Sequence, residues 1–133
     1  MRITITEVLQ RSEGKVWLAF SSKCGEGTVQ WVGDPPSADK GRSCYVEFDI
    51  LISLEASMLS HSDSPLALGS SRRGDDTVVR GILEAMDDDG MGCLRISRDC
   101  RIMVEARLDS SSIGRTLSMQ PNPAQLHATP YDL

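Results

Sequence analysis

The sequence predicts an all-β chain: a small antiparallel β-barrel with at most one short helix. Three observations carry that expectation. From Thr77 to Leu108 the chain reads as three strand-like runs separated by two short polar turns. Between Arg42 and Ile52, the residues Cys44, Val46, Phe48, Ile50 and Ile52 alternate with Tyr45, Glu47 and Asp49. Elsewhere, strand-length runs are joined by hairpin-length turns. Successive side chains of a strand point to opposite faces, so period-two alternation places one row on a core and the other in water.

Taken in order, Arg2 to Gln10 is the first strand, with Ile3 and Ile5 inward and Arg2, Thr4 and Thr6 outward. Ser12-Glu13-Gly14-Lys15 turns the chain into Val16-Trp17-Leu18-Ala19-Phe20. Ser21 to Gly27 reads as a flexible loop or wide bulge, and the strand resumes at Thr28 to Val32. Asp34 to Gly41, with its paired prolines, is a surface loop, because proline cannot donate to a ladder. Arg42 to Ile52 is the next strand. Beyond it Leu51, Leu54, Glu55, Met58 and Leu59 recur at helical spacing, while strand alternation also continues through Leu54; both patterns fit. Ser57 to Asp76 is serine-rich and irregular.

The central meander then begins. Val78 to Met86 meets Met91 to Ser97 across Asp87-Asp88-Asp89-Gly90, a four-residue hairpin loop with Gly90 suited to a positive φ. Pairing Met86 with Met91 sets Leu83 opposite Leu94 and Ala85 opposite Gly92 on the core side, with Glu84 diagonal to Arg95 outside. Arg98-Asp99 is a tighter turn. In the third run Cys100, Ile102, Val104, Ala106 and Leu108 alternate with Arg101, Met103, Glu105 and Arg107. Asp109 to Gly114 is a loop, Arg115 to Met119 a short strand, Gln120 to Pro123 a break, and Gln125 to Tyr131 a last strand. That last strand either closes the barrel or pairs with a second chain.

At 133 residues the chain has the length of a single domain. Its 40% hydrophobic and 25% charged residues are ordinary for a globular protein. A net charge of −5 works against a nucleic-acid backbone or an anionic membrane as the main partner. Met1 to Ile5 enters a strand directly, without an apolar signal region, and no apolar run approaches a membrane span, so the expected location is cytoplasmic. Cys24, Cys44, Cys93 and Cys100 form no CxxC pair and are expected to be reduced, Cys44 and Cys100 as small hydrophobes of the core rows. Arginine outnumbers lysine and Asn122 is the only asparagine, the usage of a GC-rich bacterial genome.

Strands of this length, joined by hairpins and with a helix-prone segment between the third and fourth, resemble in their order the oligonucleotide/oligosaccharide-binding (OB) fold. The resemblance spans roughly Met1 to Met119 and rests on strand order, without a family motif. It implies a closed or nearly closed small barrel. Fold alone implies no activity.

The candidate chemistry has plain alternatives. Asp87-Asp88-Asp89-Gly90 suggests calcium, but Met91, Cys93 and Leu94 supply none of the further oxygen ligands a calcium loop needs, which leaves a solvated acidic turn. Glu47 and Asp49 beside Tyr45 suggest an acid/base pair or an acidic patch for a basic partner; the plain account is the polar outer face of a strand. His61-Ser62-Asp63-Ser64 has the residue types of a hydrolase triad, yet triads assemble from separated chain positions. His61 and His127 do not pair with cysteines at zinc spacing. Cys24 beside Lys23 is a candidate reactive thiol or a bland exposed one. Gly25-Glu26-Gly27 lacks the third glycine of a dinucleotide site.

For single-stranded nucleic acid, Trp17, Trp31 and Tyr45 are the candidate stacking rings. Arg72-Arg73 and the outer row Arg95, Arg101 and Arg107 are the candidate cations. Aromatic residues make up only 5% of the chain, and acids accompany these arginines, which the plain account pairs with them.

The expected function is therefore that of a non-catalytic bacterial domain that binds another protein, a basic one, in the manner of an inhibitor or immunity protein. Its expected contact residues are Tyr45, Glu47 and Asp49, with Asp87, Asp88 and Asp89 at the barrel rim. An OB-type nucleic-acid binder using Trp17, Trp31, Arg95, Arg101 and Arg107 is the alternative. No catalytic residue, metal site or cofactor is expected.

Overall fold

The computed structural model describes residues 1–12, 14–33, 42–60, 66–69 and 77–131, and the statements below concern those residues. Ten strands form: β1 (Arg2–Ser12), β2 (Lys15–Ser22), β3 (Gly25–Trp31), β4 (Ser43–Ile50), β5 (Ala67–Gly69), β6 (Val78–Met86), β7 (Met91–Ser97), β8 (Cys100–Glu105), β9 (Thr116–Met119) and β10 (Leu126–Tyr131). No α-helix forms among them. Three short 3-10 turns lie at Ala56–Met58, Ser110–Ser112 and Pro123–Gln125.

Five strands close a small barrel in the order β1-β2-β3-β10-β4, with β4 returning to β1. Every pairing is antiparallel except that of β10 with β3. The protein is thus an all-β, OB-like small barrel. The 11-residue β1 reaches both neighbours by bending at two register shifts, between Ile5 and Glu7 and between Val8 and Gln10; such shifts add local twist and let one strand wrap a tight barrel. Ile3, Ile5, Leu18, Phe20, Val29, Val46, Phe48 and Leu126 fill the interior, all at most 3% exposed, and Phe20 packs on Phe48 with centroids 5.4 Å apart.

The central meander is correctly read as three strands but does not belong to the barrel. β6, β7 and β8, with β5 and β9, make a second, curled sheet. The barrel's fifth strand instead comes from residues 126–131, beyond the span of the expected resemblance. One hydrophobic cluster runs through both sheets, adding Leu68, Val79, Leu83, Leu94, Ile102, Val104 and Leu117 to the barrel residues. Period-two alternation marks a buried face; it does not say which sheet that face belongs to.

Other expectations change in detail. Ser21 to Gly27 is no loop: β2 and β3 form a tight hairpin around Lys23 and Cys24, with Gly25 at φ 133°. Polar serines and glycines carry the ladder here because Ser22 Oγ accepts from the Cys24 amide at 3.1 Å and donates to the Gly25 carbonyl at 3.2 Å. The helical spacing from Leu51 gives no α-helix, only the 3-10 turn at Ala56–Met58. Leu54 instead bridges Ala106, its amide donating to the Glu105 carbonyl at 2.7 Å while the Arg107 amide donates to its own carbonyl at 2.8 Å. Within the serine-rich segment, Ala67–Gly69 is a strand. Residues 61–65 and 70–76, with His61 and Arg72-Arg73, lie outside the described residues, as do residues 34–41, expected to form a surface loop.

In the meander, Leu83 does face Leu94, but a register shift between Leu83 and Ala85 sets Ala85 opposite Cys93 and Met86 opposite Gly92. Ala85 is exposed. Gly92 is closely packed, since an added Cβ would meet Leu83 Cδ1 at 2.9 Å.

The two sheets are fastened at named points. Buried Thr77 accepts the Thr28 amide at 3.0 Å through Oγ1 and donates to the Thr28 carbonyl at 3.2 Å. The Leu68 amide donates to the Cys24 carbonyl at 3.1 Å. Lys23 Nζ lies 2.8 Å from Asp99 Oδ1, tying the β2–β3 turn to the β7–β8 turn.

Candidate functional site

The candidate site is the outer face where β10, β4 and β8 lie side by side. On β4, Tyr45, Glu47 and Asp49 point outward because Val46, Phe48 and Ile50 point into the core. Leu51, one step past the strand end, is exposed as well. β10 pairs with β4 so that Tyr131 stands opposite Tyr45, Thr129 opposite Glu47 and His127 opposite Asp49. The two tyrosine rings are 6.2 Å apart, centroid to centroid, tilted by 45°. Tyr131 is further held by its hydroxyl, which accepts from the Met1 amino group at 3.2 Å. His127 Nε2 lies 3.1 Å from the Ala124 carbonyl oxygen.

β8 flanks β4 on the other side, its inner row Cys100, Ile102 and Val104 buried and its outer row Arg101, Met103 and Glu105 exposed. The two strands run in the same direction, since residues 46–48 face 99–101 and residues 49–52 face 103–105 across two clefts. They touch, yet no ladder joins them. Hydrogen bonding across this parallel seam begins at Leu54 and Ala106. The first cleft, about 370 Å³, is lined by Met1 and Tyr131, by Val46, Glu47 and Phe48 of β4 and by Asp99, Cys100 and Arg101 beside them. The second, about 480 Å³, is walled by Asp49, Leu51, Ile52, Met103, Glu105 and His127.

The charges on this face are unequal in their company. Asp99 is engaged by Lys23 and by Ser97 Oγ at 2.8 Å, which hold its carboxyl below the usual carboxylate range and raise Lys23 in turn. Glu105 lies 3.6 Å from Arg107. Glu47 and Asp49 have no ion-pair partner among the described residues. They are the uncompensated acids of the strip, between the tyrosine pair at one end and Leu51 with Met103 at the other.

Asp87, Asp88 and Asp89 sit at the tip of the β6–β7 hairpin, in the second sheet and not on the barrel rim. Asp87 fastens its own turn, Oδ1 accepting from the amides of Asp89 and Met91, each at 2.9 Å. Asp88 and Asp89 are exposed.

The residues named for nucleic acid do not converge on one open surface. Trp31 is buried at 7% exposure, so its ring belongs to the core; Trp17, on β2, is half-buried. Arg95 and Arg101 face each other directly across β7 and β8, and Glu84 holds both, at 2.7 and 3.0 Å. A directly opposed like-charge pair repels, so the shared carboxylate is what makes that register comfortable. Arg101 also donates to the Arg98 carbonyl at 2.7 Å, and Arg107 is the partner of Glu105.

The cysteines are free. Burial pushes the Cys100 thiol up to about 12 and raises those of Cys44 and Cys93. Among the described residues no group of three or more His, Cys, Asp or Glu is placed to hold a metal ion, and no helix is long and apolar enough to cross a membrane.

Sequence reasoning found Tyr45, Glu47 and Asp49 but not Tyr131, Leu51 and Met103. One signal was available for Met103: it is the single apolar residue in the outer row Arg101, Met103, Glu105, Arg107. Nothing in the sequence sets β8 beside β4. Comparison with known proteins gives no match, whether to family models, curated proteins or solved structures.

Proposed function

We propose that this protein is a non-catalytic protein-binding domain whose β10–β4–β8 face covers a basic surface on its partner, as an inhibitor or immunity protein does. One observation carries the reading. Of the seven exposed large hydrophobic side chains among the described residues, four (Tyr45 at 38%, Leu51 at 58%, Met103 at 51% and Tyr131 at 42%) fall on this one strip. Scattered exposed apolar residues need no explanation, whereas four of them gathered at the two ends of one strip, with acids between them, favour a docking surface. Tyrosines suit the anchor role, since they bring a large amphipathic area at low entropic cost. Glu47 and Asp49, lying among these anchors without cationic partners, favour a basic counterpart and would speed its approach.

The nucleic-acid reading has less support, with Trp31 in the core and Arg95, Arg101 and Arg107 each beside a carboxylate. The test uses the partner captured from nuclease-treated lysate of the native host. The double variant Glu47→Lys/Asp49→Lys should bind it at least tenfold more weakly, with its circular dichroism and urea midpoint close to wild type. Unchanged affinity would remove the face from consideration. Loss of the captured material on nuclease treatment alone would instead favour nucleic acid.

A further inference from the structure

The docking strip ends at Tyr45, and on the far side of that ring another cleft opens over the outer faces of β4, β1 and β2. We propose that this cleft binds a phosphate monoester, the terminal phosphoryl group of a small ligand. The proposal goes beyond the docking reading, which uses neither of the cations that line the cleft.

Strand register builds the cleft in two rows. Ile3 and Ile5 of β1 are buried, so Arg2 and Thr4 point outward. Thr4 stands opposite Ser21 on β2 and opposite Ser43 on β4, which sets three hydroxyl side chains in line across three strands. At the next outward position of β1, Arg2 stands opposite Tyr45. Lys23, two residues past Ser21, lines the same cleft on the β2 side. Two cations therefore lie beside a row of hydroxyls, with an aromatic ring at one end.

Much of this donor capacity is unspent. Arg2 and Ser21 have no side-chain hydrogen-bond or ion-pair partner among the described residues. Lys23 gives one contact to Asp99, at 2.8 Å, and an ammonium has further N–H groups to donate. Thr4 and Ser43 share one hydrogen bond at 3.1 Å, so one hydroxyl proton of the pair remains for a ligand. Only Ser22 Oγ is committed, to its own turn. Asp99 is the acid of the cleft, and it is engaged by Lys23 and Ser97. The cleft thus carries a surplus of positive charge in a chain whose net charge is −5.

Donors with surplus positive charge select an oxyanion over a cation or a neutral group. A monoester brings three acceptor oxygens and close to two negative charges at neutral pH, which suits two cations on one side and hydroxyls on the other. An internal phosphodiester brings fewer of both. At about 510 Å³ the cleft exceeds a phosphoryl group and has the size that takes a small ligand. The body of that ligand lies toward Tyr45.

The test is an NMR titration of isotope-labelled protein with ribose 5-phosphate and with AMP, using adenosine and sodium chloride at matched ionic strength as controls. Both phosphates should give saturable shifts at the amides of Arg2, Thr4, Ser21, Lys23 and Ser43, and neither control should. Arg2→Gln changes an exposed, unpaired side chain, so the rest of the spectrum should stay as in wild type while both phosphates bind about tenfold more weakly. Equal affinity for the two assigns the site to the phosphoryl group alone. Tighter binding of AMP, lost in Tyr45→Ala, adds a ring seated on Tyr45. Absence of saturable shifts, shifts reproduced by salt alone, or an Arg2→Gln variant that binds as well as wild type would overturn the proposal. None of these outcomes bears on Glu47 and Asp49, so the docking reading stands or falls by its own test.

Discussion

At the scale of single residues, side chains help to hold the junction between the two sheets where no ladder forms. Thr77 is the clearest. Its hydroxyl serves both the amide and the carbonyl of Thr28 while 2% exposed, so it satisfies a backbone pair that no strand reaches. Thr77→Val keeps the shape and removes both bonds, leaving polar groups stranded in an apolar junction. The expected loss is about 1–3 kcal/mol, seen as a lower urea midpoint at unchanged slope; an unchanged midpoint would mean that solvent reaches Thr28. Cys100 gives a second residue-scale expectation. Its thiol is raised to about 12 from an ordinary value of 9.0, so the folded state holds the proton more tightly than the unfolded chain. The stabilisation from the neutral buried thiol is therefore complete below pH 9 and lost as pH climbs toward 12. Iodoacetamide at pH 9 should spare Cys100 in the folded protein and alkylate it readily in urea, with peptide mapping as the readout.

At the scale of elements, β5 shows how close two backbones can come. A Cβ on Gly69 would lie 2.5 Å from both the amide nitrogen and the carbonyl oxygen of Glu26, atoms that belong to a paired strand and cannot move aside. Gly69→Ala should cost about 1–3 kcal/mol by forcing β5 off the β2–β3 hairpin, while Gly14→Ala, in a turn with open space around it, tests only the strain of φ 75°. If both variants unfolded alike, the close approach would not be what fixes glycine at position 69. This element also marks the limit of what the sequence disclosed. β4 and β8 were legible because Val46, Phe48 and Ile50, and Cys100, Ile102 and Val104, alternate cleanly between core and solvent. β5 was not, since three residues inside a serine-rich segment have no period to read and gain their place from contact with Glu26. The β2–β3 hairpin was missed because Ser21, Ser22, Gly25 and Gly27 look like loop residues, though paired backbones and a small-residue approach select them. Of the candidate face, the strand carrying Tyr45, Glu47 and Asp49 was readable. The neighbours that complete it, Tyr131 and Met103, arrive from chain positions far away, and only the tertiary arrangement joins them.

At the scale of the molecule, one cluster of buried side chains spans the barrel and the curled sheet, and β10 is the element on which barrel closure depends. It lies between β3 and β4 and buries Leu126 and Ala128 completely. A single cooperative transition is expected for the whole chain, with near-UV dichroism and intrinsic fluorescence tracing the same curve. A chain ending at Gln125 should lose that cooperativity, because it exposes both strand edges and opens the shared core. A sharp native-like transition in the shortened chain would show that the barrel closes by other means.

The parallel pairing of β10 with β3 has a consequence for biosynthesis. Residues 45–50 leave the ribosome well before residues 126–131, a delay on the order of ten seconds at ordinary elongation rates. Throughout that interval the edges of β3 and β4 wait without their common neighbour, and each is a template for pairing with another nascent chain. The slow step of maturation is then the arrival of the final strand. Translation speed across residues 50–126, and chaperone occupancy of the waiting edges, should govern how much of the protein is recovered in soluble form.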